Sequence, residues 1–196
     1  MSITTLSVRI GEPDIECRYP VIIGADRVIG LAFRWHRNWN ALLSDGTEKD
    51  LGRPATGQKG IDMAVAWLTE EYAAGRIGAI ALDMVRAEAP QPLDGEVPLL
   101  HPRMAGTEGK PASLRNIQGA KTALAGLAEH HWKPVLHGFP GSDNPWFLEC
   151  LLCGWSGVRY WSHLRGRNGE PPRIYRHDGG CIGEDKIREL IPAYQA

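Results

Sequence analysis

No uninterrupted apolar run in the sequence approaches 18 residues, so it offers no candidate for a membrane-spanning helix. The stretch from Met1 to Ile10 lacks the basic region and apolar core of a secretory leader, and the expectation is a cytoplasmic protein. Cysteine is scarce. Three of the four lie in one C-terminal region and Cys17 stands alone in an apparent strand, a pattern that fits a reducing compartment better than a disulfide framework. An excess of one charge is also lacking. The net charge of -1 excludes a globally basic coat for nucleic acid and confines any polyanion site to a local patch. Lysine is sparse beside arginine, 6 against 16, and there is no internal repeat or low-complexity segment. What remains, 43% hydrophobic and 23% charged residues over a length of 196, is the composition of a soluble globular protein of one ordinary domain or two small ones.

Residues 3–10 and 14–23 alternate as strands, with Gly11-Glu12-Pro13-Asp14 as the turn. Ile15, Cys17, Tyr19 and Val21 then share a face, which makes Cys17 a buried small hydrophobe rather than a reactive thiol. From Arg27 to Leu43 the period of two continues. Leu31, Phe33, Trp35 and Trp39 share one face and Arg34, His36, Asn38 and Asn40 the other, closed by Ser44-Asp45-Gly46. A polar loop follows through Gly57. Ile61, Val65, Leu68 and Tyr72 then recur on one helical stripe that should pack on the aromatic face of the sheet. Gly75 to Gly78 ends this helix, and residues 79–85 read as one more strand. Residues 1–86 thus form a small sheet-plus-helix domain. Its order of elements is similar to that of AP2-like and double-stranded-RNA-binding folds, a likeness of order alone.

Pro90, Pro92, Pro98, Pro102 and Pro111, with Gly95, Gly106 and Gly109, mark residues 87–112 as a linker or wrapping loop, part of which docks through Val97, Leu99 and Leu100. Residues 113–196 then carry a helix and a metal-binding module. Ser113 caps the helix, Leu114, Ile117, Leu124, Leu127 and His131 lie on or near one stripe, and Pro134 stops it. His130-His131 falls at its end, where carbonyl dipoles favour histidine.

The chemistry is concentrated after Glu149. Cys150 and Cys153, two residues apart, can place both sulfurs on one tetrahedral ion, and Gly154 suits the turn because glycine tolerates a positive φ. A second half-site begins after a spacer of 23 residues beyond Cys153. There His177 and Cys181 are separated by three residues that include Gly179 and Gly180, with His163 as the alternative fourth ligand. The expected ion is zinc in a structural role, since four protein ligands leave no open position for substrate. Residues 158–162 and 174–176 read as a hairpin with 165–172 as its tip, and a last helix runs over 183–191. On Cys150, Cys153, His177 and Cys181, residues of about 146–191 resemble the zinc-ribbon and treble-clef class, and Trp146, Trp155, Trp161 and Tyr160 are candidates to cover the site. The whole reads as an α+β protein: an N-terminal antiparallel sheet with one packed helix, then a helix and a zinc-ribbon or treble-clef-like module.

Arg159, Arg165, Arg167, Arg173 and Arg176 cluster in the tip, opposed only by Glu170, with Tyr160, Trp161 and Tyr175 among them. Guanidinium forks suit phosphates and aromatic faces suit unstacked bases, which points to nucleic acid. Zinc-deaminase chemistry is excluded, because the positions for its glutamate and proline hold Phe139 and Glu149. His137-Gly138-Phe139-Pro140-Gly141-Ser142-Asp143 has no strand-to-helix setting for a nucleophile elbow. The leading expectation is a small non-enzymatic zinc-stabilised protein whose C-terminal module contacts nucleic acid; small size and the lack of an enzyme motif suggest a phage or mobile element as its source. The alternative is a zinc-stapled interaction or assembly protein that binds a protein partner, or itself, through residues 97–104 and a sheet edge. A third reading takes His163, Asn168 and His177 as resembling an HNH nuclease.

Overall fold

The structure, a computed structural model, describes residues 7–167 and 170–195. The chain divides into two compact units, residues 1–90 and 91–196. No helix among the described residues is long and apolar enough to cross a membrane.

In the first unit, β1 (Val8–Ile10), β2 (Tyr19–Ile23), β3 (Arg27–Trp35), β4 (Asn38–Leu42) and β5 (Glu48–Gly52) form an antiparallel meander in chain order. Helix α1 (Gly60–Ala73) packs on β3 and β4, where Leu68 and Ala64 meet Val21, Ile23, Ile29, Ala32 and Ala41. The short β6 (Ile80–Ala81) pairs with the start of β3, and α2 (Leu82–Ala87) follows it. Leu82 and Val85 of α2 pack with Ile22, Val28, Leu31 and Ile80. The sheet centre is thus buried on both faces, which is why β2 is apolar almost throughout rather than alternating.

Several sequence expectations change here. The part of the 3–10 strand before Ser7 lies outside the described residues. Cys17 is buried as expected but lies in a turn at φ 62, not in a strand. The Asp14 carboxylate organises that turn, accepting from the amides of Glu16 at 2.9 Å and Arg18 at 3.0 Å. A bulge breaks the strict alternation in β3: Val21 pairs with Gly30 and Ile22 with Val28, so Ile29 is an extra residue. Leu31 packs with α2 while Trp39 packs with α1, because the turn between β3 and β4 sets Trp39 opposite Arg34 and so on the face that Leu31 does not share. The 27–43 segment is itself a hairpin, turning at His36-Arg37 with His36 at φ 54. The polar stretch after Gly46 contains the edge strand β5. Residues 79–85 are mostly helix because Leu82 and Val85, three apart, cover the sheet rather than extend it.

In the second unit a hairpin of β7 (Gly106–Thr107) and β8 (Lys110–Pro111) precedes α3 (Leu114–Glu129), which Ser113 caps by accepting from the Asn116 amide at 3.2 Å. Strands β9 (Trp132–Pro134), β10 (Trp146–Cys150) and β11 (Ser156–Arg159) form an antiparallel sheet with β10 central. Two short helices complete the unit, α4 (Trp161–Leu164) and α5 (Glu184–Leu190). Ala120, Ala123 and Leu127 let α3 approach closely, and they share a core with Trp132, Phe139, Trp146, Leu148, Cys150 and Trp161. The Pro- and Gly-rich segment straps onto this unit. The Leu93 amide donates to the Val135 carbonyl, Leu99 and His101 pair with Phe139, and Leu100 enters the core.

Helix α3 ends at Glu129, before Pro134, because His131 adopts the left-handed conformation at φ 55 and the chain leaves as β9. Leu114 is not on the buried stripe; it is 84% exposed in the first turn. His130 is a core residue rather than a charged end group. It packs against Tyr194, and burial holds its imidazole below the ordinary value.

Leu68, wholly buried beneath the sheet, gives a direct test of the first core. Leu68→Ala should cost about 2–5 kcal/mol, read as an earlier loss of amide-exchange protection in β2 to β4 under urea.

Candidate metal centre

The first half-site is the turn of the β10–β11 hairpin. The Cys150 amide donates to the Trp155 carbonyl at 2.7 Å, and the amides of Cys153 and Gly154 both donate back to the Cys150 carbonyl, at 3.3 and 2.8 Å. Gly154 closes the turn at φ 76, the positive value anticipated for it. The second half-site lies just before α5. There Gly179 and Gly180, both at φ near 80, reverse the chain so that Cys181 returns toward His177.

These two turns bring Cys150, Cys153, His177 and Cys181 together, with ligand atoms within 4.8 Å of one another, so the four could hold a metal ion. The Cys150 and Cys181 sulfurs are 3.8 Å apart. Two sulfurs about 2.3 Å from a single tetrahedrally bound ion would be separated by about 3.8 Å. His177 Nε2 is 3.1 Å from the Cys153 sulfur, and its Nδ1 is 3.0 Å from the Asp178 carbonyl. A proton on Nδ1 donates to that carbonyl and leaves Nε2 free to ligate. His163 lies elsewhere, exposed on α4 beside Tyr160.

Amides from the two turns aim at sulfur, Leu152 at Cys150 and Ile182 at Cys181. Burial pushes the Cys150 thiol up, but hydrogen bonds from Arg176 and Leu152 and the Arg176 charge outweigh it, so the thiol lies below its ordinary value. Burial raises the Cys181 thiol to about 11, reinforced by the sulfurs of Cys153 and Cys150. The donors around Cys150 thus favour its thiolate, while Cys181 holds its proton until an ion displaces it.

The surroundings contain what sequence reasoning did not anticipate. Arg176, assigned to the exposed basic tip, is only 3% exposed. Its Nε and Nη2 donate to the Cys150 sulfur at 3.4 and 3.3 Å, Nη2 also donates to the His131 carbonyl at 3.1 Å, and its guanidinium lies over Trp132. A charged residue followed by a ligand is the only local signal for this role. Trp155 stacks on His177 with ring centres 4.7 Å apart, and Trp132 meets the same imidazole edge-on. Trp146 and Trp161 belong to the core rather than covering the site. Tyr160 stands just before α4 and its ring lies 5.2 Å from that of His163, so it does not cover the cluster either.

The expected hairpin is not formed. Val158 and Arg159 pair with Phe147 and Trp146 of β10, residues 161–164 are helical, and residues 174–176 are in no strand. The reason is that the knuckle itself is the hairpin turn, so β11 already has its partner. Arg165, Arg167 and Arg173 are exposed and Arg159 is half-buried against Trp155. Asn168 lies outside the described residues.

No family model matches the chain, and comparison with curated proteins and with solved structures found no match.

Ligation needs thiolates, and without an ion Cys181 keeps its proton, so ion uptake releases protons and apparent affinity must fall as pH falls. Titration with Zn²⁺ should show about a tenfold loss per pH unit for each proton released; a flat profile from about pH 8 to about pH 6 would mean that the cysteines do not ligate. Arg176→Met, which keeps the bulk but removes the donors to sulfur, should weaken the metal about 10- to 100-fold in the same titration.

Proposed function

We propose that the protein is a non-enzymatic, zinc-stapled module that contacts nucleic acid through its second unit. Three sulfurs and an imidazole suit zinc, and four protein ligands leave the ion no open position, so its role is structural. Reduced cysteines held for a metal fit the cytoplasm. The observation that carries the reading is the grouping of Arg159, Arg167 and Arg173 around one cavity with Tyr175, with Glu170 the only acid among its described lining residues. Arg165 stands exposed beside it. Arg176 contributes through the cluster and not through the surface, since it is buried on Cys150.

The nuclease reading has less support, because the His177 imidazole is engaged with Cys153 and Asp178, which leaves it His163, exposed on α4. The assembly reading loses part of its surface, since Leu100 fills the core of its own unit. A source in a phage or mobile element goes with the nucleic-acid reading.

The double variant Arg165→Gln/Arg167→Gln leaves the metal ligands intact. It should weaken binding to fluorescent DNA or RNA and flatten log affinity against log salt by up to about 1.8 for duplex DNA, or about 0.9 for each phosphate that is no longer neutralised. Unchanged affinity and slope in that variant, with metal content preserved, would overturn the reading.

A further inference from the structure

The arginine-lined cavity has about 600 Å³ of space, bounded among others by Arg159, His163, Arg167, Glu170, Arg173 and Tyr175. That is room for a small-molecule-sized ligand. Nε and Nη2 of Arg159 and Nη1 of Arg176, side chains that border it, are buried and meet no acceptor among the described residues. Arg159 spends only its Nη1, on the Val158 carbonyl at 3.1 Å, while its guanidinium rests over Trp155. Buried charged donors of this kind are costly unless an acceptor reaches them, and an oxyanion brings several at once.

The charge count narrows the ligand. Arg176 already faces the Cys150 sulfur, and the Asp178 carboxylate, which accepts from the Tyr175 hydroxyl, acts on Arg159 through its charge. Arg159, Arg167 and Arg173 are then opposed by Glu170 in the lining and by Asp178 beside it, and one positive charge remains in excess. A carboxylate offers only two oxygens to these three guanidinium groups. A terminal phosphoryl group, with its second ionisation near pH 6, supplies close to two negative charges at neutral pH and oxygens that match guanidinium forks. The cavity is far larger than that group alone, so the phosphoryl arrives on a larger body. Tyr175, 60% exposed, offers a ring for a base.

We propose that this cavity binds the terminal phosphoryl group of a nucleotide unit, either free or at the end of a strand, with Arg159 as the inner contact and Arg167 and Arg173 as the exposed ones. The proposal rests on the arginines of the nucleic-acid reading, but the two can fail separately.

The test is calorimetric titration of the metal-loaded full chain with a nucleoside monophosphate, its parent nucleoside, and one oligonucleotide carrying a hydroxyl or a phosphate at either end. Saturation by the monophosphate and not the nucleoside, or about tenfold tighter binding of a phosphate-ended strand, is the expected result, and the stronger arm identifies the source. Arg159→Gln and Arg173→Gln should each weaken that binding about tenfold or more. If Arg159→Gln loses its metal or its fold, the exposed Arg173→Gln decides. Equal behaviour of phosphorylated and unphosphorylated ligands overturns the pocket, even if the strand itself binds and the broader reading survives. Binding of the monophosphate with no binding of any strand supports the pocket and removes nucleic acid as the partner.

Discussion

Everything distinctive about the second unit depends on keeping four ligand atoms within 4.8 Å of one another although they come from two turns far apart in the chain. Neither turn has an apolar core of its own: the first is a tight loop between two strands and the second is a glycine-rich reversal before a seven-residue helix. A shared ion is the economical way to hold such segments, because it replaces packing area that they do not possess. The small cluster of Ile187, Ile191 and Tyr194, with Leu152 and Cys181 against it, shows how little apolar surface supports the C-terminal end otherwise.

Arg176 extends that constraint into the sheet. One guanidinium touches the Cys150 sulfur, the carbonyl where α3 gives way to β9, and the face of Trp132. The helix end, the central strand and the metal cluster are thereby held through a single side chain. A cation beside a thiolate lowers the cost of gathering several negative sulfurs in a partly buried place, the electrostatic counterpart of what the amides of Leu152 and Ile182 do at shorter range.

Much of this was legible in the sequence where the signal is local. The stripe of Ile61, Val65, Leu68 and Tyr72 marks α1, Ser113 marks the start of α3, and the spacing of the two half-sites marks residues that the fold brings together. The failures share a cause, which is that the partner of a segment is not written within it. Strand β5 is polar because it lies at an edge and shows its side chains to solvent. Strand β11 takes β10 rather than residues 174–176, a choice fixed by the knuckle's geometry. The bulge at Ile29 and Gly30 breaks the parity that alternation assumes. Arg176 reads as one more surface charge until the sulfur it faces is seen across 26 residues of chain.

The four ligands are not equally sheltered: Cys150 and His177 are buried, Cys181 is half-covered and Cys153 faces solvent. An ion held by the four would be reachable from one side only. A small thiol or a delivering protein would meet the Cys153 sulfur first, so exchange would begin at one outward-facing bond rather than by opening the fold.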